Sequence, residues 1–305
     1  MRPLISALEE RLDAPTARGL AQAVSRAIRD GELSAGDRLP PIRSLAAELM
    51  VSPTTVSAAW QLLARSGTIR SDGRRGTTIA PDGRHGGERY TRALRHESEV
   101  SLDLSTGVPD PELLPSLTPA LALLPSRGAP TSYLDDPVLP RLREAVLADW
   151  PYAAEALVVV DGAMDALDLV TRTLLRPGDT VLVENPGFPP LLDLLEDRGV
   201  DIVGLPLDET GISAAALEAA LDRRPAALFL QPRAQNPTGV SMSPTRARRL
   251  AGLLGGHDVM VVEDDSSGPI SSSPPISLGT WLPDRVLHIR SYSKSHGPDL
   301  RLAVV

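Results

Sequence analysis

Between residues 157 and 289 short apolar runs alternate with stretches of helical spacing, and this alternation constrains the fold more than any other feature of the chain. β-like runs fall at 157–160, 180–184, 202–205, 227–230, 259–263 and 286–289. The spacing between them predicts helices at 163–175, through 191–198, at 214–221 and at 244–254. Strands alternating with helices predict an α/β domain on a mainly parallel sheet, with any ligand site at the strand ends.

The 305 residues suffice for two domains of ordinary size. Residues 1–100 carry 15 Arg against 12 Asp and Glu, whereas 101–305 carry 16 Lys and Arg against 27, so the two parts differ in sign. Without cysteine there is no disulfide, thiolate nucleophile, iron–sulfur cluster or cysteine zinc site, and the five histidines show no metal-ligand spacing. No metal is expected. No apolar run approaches the roughly 20 residues that span a bilayer, and the first 20 residues are charged throughout. A soluble, cytoplasmic protein is the expectation.

Residues 16–30 repeat apolar side chains at helical spacing, Leu20, Val24, Ala27 and Ile28, and Gly31 supplies a stop. A second helix fits 44–50. A third opens at Ser52, an N-cap, with Pro53 at the first helical position, and runs to Gly67. Two short β-like runs, 68–70 and 77–79, flank a glycine-containing tip. Three helices and a basic hairpin describe a winged helix-turn-helix, and six Arg between Arg38 and Arg75, against Glu48 and Asp72, supply attraction for phosphates.

The string from Asp30 to Leu49, DGELSAGDRLPPIRSLAAEL, the following VSPTTV and the glycine-containing wing resemble the GntR family of bacterial repressors. The resemblance implies contact with a double-stranded DNA operator by Arg43, by Thr54, Thr55 and Ser57 at the start of the third helix, and by Gly73, Arg74 and Arg75 in the wing. Thr54 and Thr55 also suit simple helix-start chemistry, the lesser of the two readings. Many relatives carry Arg where this chain has Pro53, and some at Ser57, so two strong contacts are replaced. Residues 81–100, rich in glycine and charge, read as a linker between a head at 1–80 and a body at 101–305.

In the body, polar residues follow the expected strands in order: Asp161-Gly162-Ala163-Met164, Asn185-Pro186-Gly187-Phe188, Gln235-Asn236-Pro237-Thr238-Gly239, Glu263-Asp264-Asp265, Ser291-Tyr292-Ser293-Lys294, then Arg301. No Gly-x-Gly-x-x-Gly fingerprint or P-loop supports nucleotide binding. As an ordered set these residues resemble the fold-type I aminotransferases, which use pyridoxal 5′-phosphate (PLP). Behind a GntR-like head they resemble the MocR type of regulator.

The resemblance implies roles that the chemistry explains. Lys294 is the only lysine in the chain, hence the only side-chain amine able to form a Schiff base with PLP. Asp264 would keep the ring nitrogen protonated, with Asp265 beside it structural. Asn236 would donate to the phenolic oxygen, and Phe188 would stack on the ring where relatives use Tyr. Arg301, Ser291, Ser293 and the amides of Gly162 and Ala163 would cup the phosphate. Tyr133 either reaches a phosphate across a dimer interface or belongs to the core.

The implied function is PLP-dependent transcriptional regulation by a homodimer that senses an amine, an amino acid or PLP itself. The alternative is an aminotransferase with an accessory DNA-binding domain. Ser266 stands where relatives carry a Tyr near the phenolic oxygen, which opposes ordinary transamination. Family members continue into a small C-terminal domain bearing an arginine for the substrate carboxylate, so a sequence ending at Val305 is expected to be a fragment.

Overall fold

A computed structural model of the chain describes residues 2–65, 67–72, 76–80, 107–123 and 136–305. The expected linker at 81–100, the wing residues Gly73, Arg74 and Arg75, and Tyr133 lie outside the described residues. The chain divides into two compact units, one centred on the N-terminal helices and hairpin, the other on most of a larger sheet.

The first unit opens with α1 (Arg2–Glu9), α2 (Ala17–Arg29), α3 (Ile42–Glu48) and α4 (Pro53–Arg65). Thr16 caps α2 by accepting the Gly19 N–H at 3.1 Å, and Ser52 caps α4 by accepting the Thr55 N–H at 3.0 Å. Helix α1 adds to the three helices expected, and its Ile5 and Leu8 join Leu20, Val24, Leu45 and Trp60 in one core. Met50 occupies the turn between α3 and α4 with φ 51°. Strands β1 (Ile69–Asp72) and β2 (Gly76–Ile79) form an antiparallel hairpin in which Ile69 faces Ile79. Residues 37–39 lie along its other edge, through Leu39 N–H to Thr77 O and Ile79 N–H to Asp37 O, both at 2.8 Å.

The second sheet has the order β3 (Val159–Val160), β10 (Ala303–Val304), β9 (Val286–Ser291), β8 (Met260–Asp265), β7 (Ala227–Leu230), β4 (Thr180–Asn185), β5 (Asp201–Asp208) and β6 (Gly211–Ile212). Strands β4, β7, β8 and β9 run parallel, while β10 is antiparallel to both of its neighbours. Helices α5 (Thr118–Ala122) and α6 (Pro140–Leu147) precede the sheet strands. The helices α7 (Ala163–Leu174), α8 (Pro189–Asp197), α9 (Ala214–Leu221), α10 (Pro244–Leu254) and α11 (Ser293–His296) follow strands along the chain.

The parallel core is apolar on every strand: Val181, Leu182, Leu228, Val261, Val262 and Ile289 are buried. Such continuous apolar runs suit strands covered on both faces. Because the four strands run the same way, the segments leaving β4, β7, β8 and β9 gather at one edge of the sheet. Among the described residues, no helix is long and apolar enough to cross a membrane.

Leu228 is fully buried on β7, between β4 and β8. Leu228→Ala is expected to lower stability by about 2–5 kcal/mol, the cost of lost burial plus a cavity. Leu113→Ala, at a side chain 83% exposed, should change it little; denaturant unfolding of both variants checks the contrast.

Candidate functional site

Neighbouring residues on a strand point to opposite faces, and on β8 this separates three consecutive acids. Glu263 and Asp265 share one face with His288 and Arg290 of β9, their register partners. Asp264 takes the other face.

The Glu263 face holds a buried charge network. His288 Nδ1 lies 2.7 Å from Glu263 Oε2 and its Nε2 3.6 Å from Asp265 Oδ2. Arg233 grips Asp265 through Nε at 3.1 Å and Nη2 at 2.5 Å, and donates from Nη1 to Ser273 O at 3.0 Å. Arg290 bonds Asp149 and lies with Cζ 4.9 Å from the Trp150 ring centroid. Burial pushes the Asp265 carboxyl up, but His288 and Arg233 outweigh it and hold its pKa at about 2. Burial likewise pulls His288 down, and the Asp265 and Glu263 carboxylates outweigh that and raise it. These contacts make Asp265 a structural anchor.

Asp264 is held differently. Its Oδ2 accepts from Gln231 Nε2 at 2.7 Å, while Oδ1 is buried and has no hydrogen-bond partner. Burial raises its pKa to about 6. Glu184, at the end of β4, accepts from Gln231 N–H at 3.1 Å and from Gln235 Nε2 at 3.2 Å. Burial lifts the Glu184 carboxyl to about 8.

Asn236 follows on the same loop, its N–H donating to Gln231 Oε1 at 2.7 Å. Gln235 Nε2 also donates to Pro186 O at 3.0 Å, tying this loop to the one that carries half-buried Phe188. Gly187 permits that return: a Cβ there would lie 2.5 Å from Glu184 O.

The other strand ends meet through β10. Ala303 pairs with Ser291 on one side and Val160 on the other, so Ser291 and the segment 161–163 are separated by one strand. Arg301 Nη2 donates to Asp161 O at 3.0 Å, and a Cβ on Gly162 would lie 2.5 Å from that nitrogen. Only glycine, here with φ 96°, leaves the guanidinium this place at the start of α7. Ser291 Oγ and Ser293 Oγ are 3.0 Å apart. The Gly162 N–H, expected to face a phosphate, bonds Val160 O at 2.9 Å because the chain turns tightly off β3; Ala163 is the first residue of α7. Lys294, on α11, is half-buried with its Nζ hydrogen-bonded to Gly107 O.

Arg301, Ser291, Ser293 and the start of α7 carry the kinds of donor that an anion would need. A protonated ring nitrogen fits the bare Asp264 Oδ1. Among the described residues, no group of three or more His, Cys, Asp or Glu is placed to hold a metal ion. In the head, Arg43 and Thr54 are exposed, and Thr55 and Ser57 half-buried. The Thr54 and Thr55 hydroxyls also bond Ser52 Oγ, at 2.6 and 2.7 Å, so they serve the helix start. Sequence reasoning missed Glu184, Gln231, Arg233 and His288. For Glu184, Gln231 and His288 the signal is a polar residue inside or directly after an apolar run, whereas Arg233, three residues beyond its run, gives none.

Residues 16–79 match the family described as bacterial regulatory proteins, gntR family, and residues 99–302 match aminotransferase class I and II. The chain is similar to the vitamin B6 salvage pathway transcriptional repressor PtsJ of Salmonella typhimurium, 39% identical over 304 residues covering 96% of this chain and 68% of that protein. It is also similar to the probable rhizopine catabolism regulatory protein MocR of Rhizobium meliloti, 29% identical over 98% of this chain and 66% of that protein. The crystal structure of Pyrococcus horikoshii kynurenine aminotransferase in complex with PMP superposes with a TM-score of 0.62 at 26% identity. That match covers 71% of this chain and 58% of the enzyme.

Arg233→Leu leaves Asp265 short of its closest cation and should cost about 3–5 kcal/mol in denaturant unfolding. Arg249→Leu, at a pair with both side chains 62% exposed, should barely change stability. The Glu184 pKa lies above that of an unfolded chain, so its contribution is fully present below about pH 4.5 and is lost as pH rises through about 8. Glu184→Gln should therefore gain stability over the parent protein steadily from pH 5 to 8, read as the difference in Tm; a difference that stays constant with pH would refute the assignment.

Proposed function

Because the chain belongs to the aminotransferase class I and II family and carries a gntR-family head, an arrangement of the MocR type, we propose that it is a DNA-binding transcriptional regulator whose larger part holds PLP. The observation that carries the cofactor reading is the buried, unpartnered Asp264 Oδ1. A bare buried carboxylate oxygen is costly, and a protonated ring nitrogen would satisfy it. PLP supplies an aldehyde that condenses with amines and a ring that withdraws electrons.

The chain's own residues do the rest. Lys294 provides the amine, and its hydrogen bond to Gly107 O gives the Nζ a resting place. Asp264 would hold the proton on the ring nitrogen, and Asn236 would meet the phenolic oxygen. Phe188 covers a ring face, and Arg301 with Ser291 and Ser293 holds the phosphate. Gly162 contributes by leaving room for Arg301, with Ala163 opening the helix beside it. The relatives' regulatory roles, in the vitamin B6 salvage pathway and in rhizopine catabolism, support a regulatory use of such a site.

In this reading an amine, an amino acid or PLP itself is the effector, and it acts by favouring one of two arrangements of a homodimer on a paired operator. Arg43, Thr54, Thr55, Ser57 and the wing residues Gly73, Arg74 and Arg75 would meet the DNA.

The test is Lys294→Ala. The parent protein with PLP should show the absorbance of a covalently held cofactor, and borohydride reduction should fix that cofactor to Lys294. The variant should lose both, and its response to effector on operator DNA, while still binding DNA. A variant that keeps absorbance and response would sink the scheme. Steady multiple-turnover amino-group transfer would favour the enzyme reading instead.

A further inference from the structure

Gln231 connects two contacts of the site that no strand joins. It follows β7, its side chain is buried, and its backbone N–H is tied to Glu184 Oε2 at 3.1 Å. Its Oε1 accepts from the Asn236 N–H at 2.7 Å. A backbone N–H can only donate, so this bond fixes which end of the amide is oxygen. Nε2 is thereby turned to Asp264 Oδ2 at 2.7 Å, with Ser266 Oγ at 3.2 Å.

We propose that Gln231 is a positioning residue for PLP recognition: its Nε2 occupies one oxygen of Asp264 so that the other is presented to the ring nitrogen, and its Oε1 holds the loop that carries Asn236. This rests on the reading of the site as a PLP site. A neutral donor is what the arrangement requires. An arginine here would neutralise Asp264 and remove its attraction for a protonated ring. An apolar residue would leave both buried oxygens bare and favour the uncharged carboxyl. An amide satisfies one oxygen and leaves the negative charge in place.

The test compares equilibrium binding of PLP with that of 1-deazapyridoxal 5′-phosphate, which has carbon in place of the ring nitrogen. The parent protein should prefer PLP. Gln231→Leu should cut that preference about tenfold or more, the size expected for losing a hydrogen bond to a charged group, through weaker PLP binding rather than tighter analogue binding. A merely structural role would weaken both ligands alike and leave the preference unchanged, which overturns the inference. Gln231→Glu keeps the shape while removing the fixed donor and should lose the preference too, so it gives the same readout if the leucine variant does not fold. A parent protein that binds PLP but shows a preference surviving in both variants overturns this inference alone. A parent protein that binds neither ligand overturns the PLP reading and this inference with it.

Discussion

The alternation of side chains along β8 is the constraint on which the site depends. One residue of strand, about 3.3 Å, separates a carboxylate locked among cations from a carboxylate with a bare oxygen. Had Asp264 shared a face with Arg233 and His288, its charge would be neutralised and nothing would remain to attract a cationic ring. The network on the Glu263 face fixes the backbone from which Asp264 projects, so the charge-paired side of the strand supports the side with the open oxygen.

Three of the four buried carboxyls that lie together here, Glu263 aside, are accommodated in three ways. Asp265 is compensated by charge, from Arg233 and His288. Glu184 is driven towards its neutral form by burial, although two N–H groups point at it. Asp264 sits between these limits, one oxygen satisfied by a neutral amide and the other open. The graded treatment leaves a single carboxyl with an open oxygen while its neighbours stay fixed.

Much of this was legible in the sequence, because period and punctuation carry the backbone. The runs at 227–230 and 244–254 coincide with β7 and α10, and Ser52-Pro53 starts α4 as capping chemistry requires. The run at 202–205 extends to Asp201–Asp208 because a tight turn pairs Asp208 with Gly211, which apolar periodicity does not register. Helices α1, α5 and α6 were not among the helices expected, although α9, no longer than α1 or α6, was. The ordered series ending at Lys294 and Arg301 located the strand ends, but the residues behind it escaped. Gln231 and Arg233 act through partners more than 30 residues away, and no local pattern encodes such pairing. His288 and Arg290 did leave a trace, as polar residues two apart in an apolar strand whose faces are both buried.

The fit of Arg301 over Gly162 has a consequence for how such sequences can diverge. The guanidinium occupies the space that any side chain at 162 would need. A change at 162 displaces the arginine, whereas loss of the arginine frees the space but not the backbone, whose φ of 96° still favours glycine. Two demands therefore hold the glycine, and only one of them depends on its neighbour. Replacing Arg301 relaxes the crowding and leaves the left-handed turn off β3 as the reason position 162 carries no side chain.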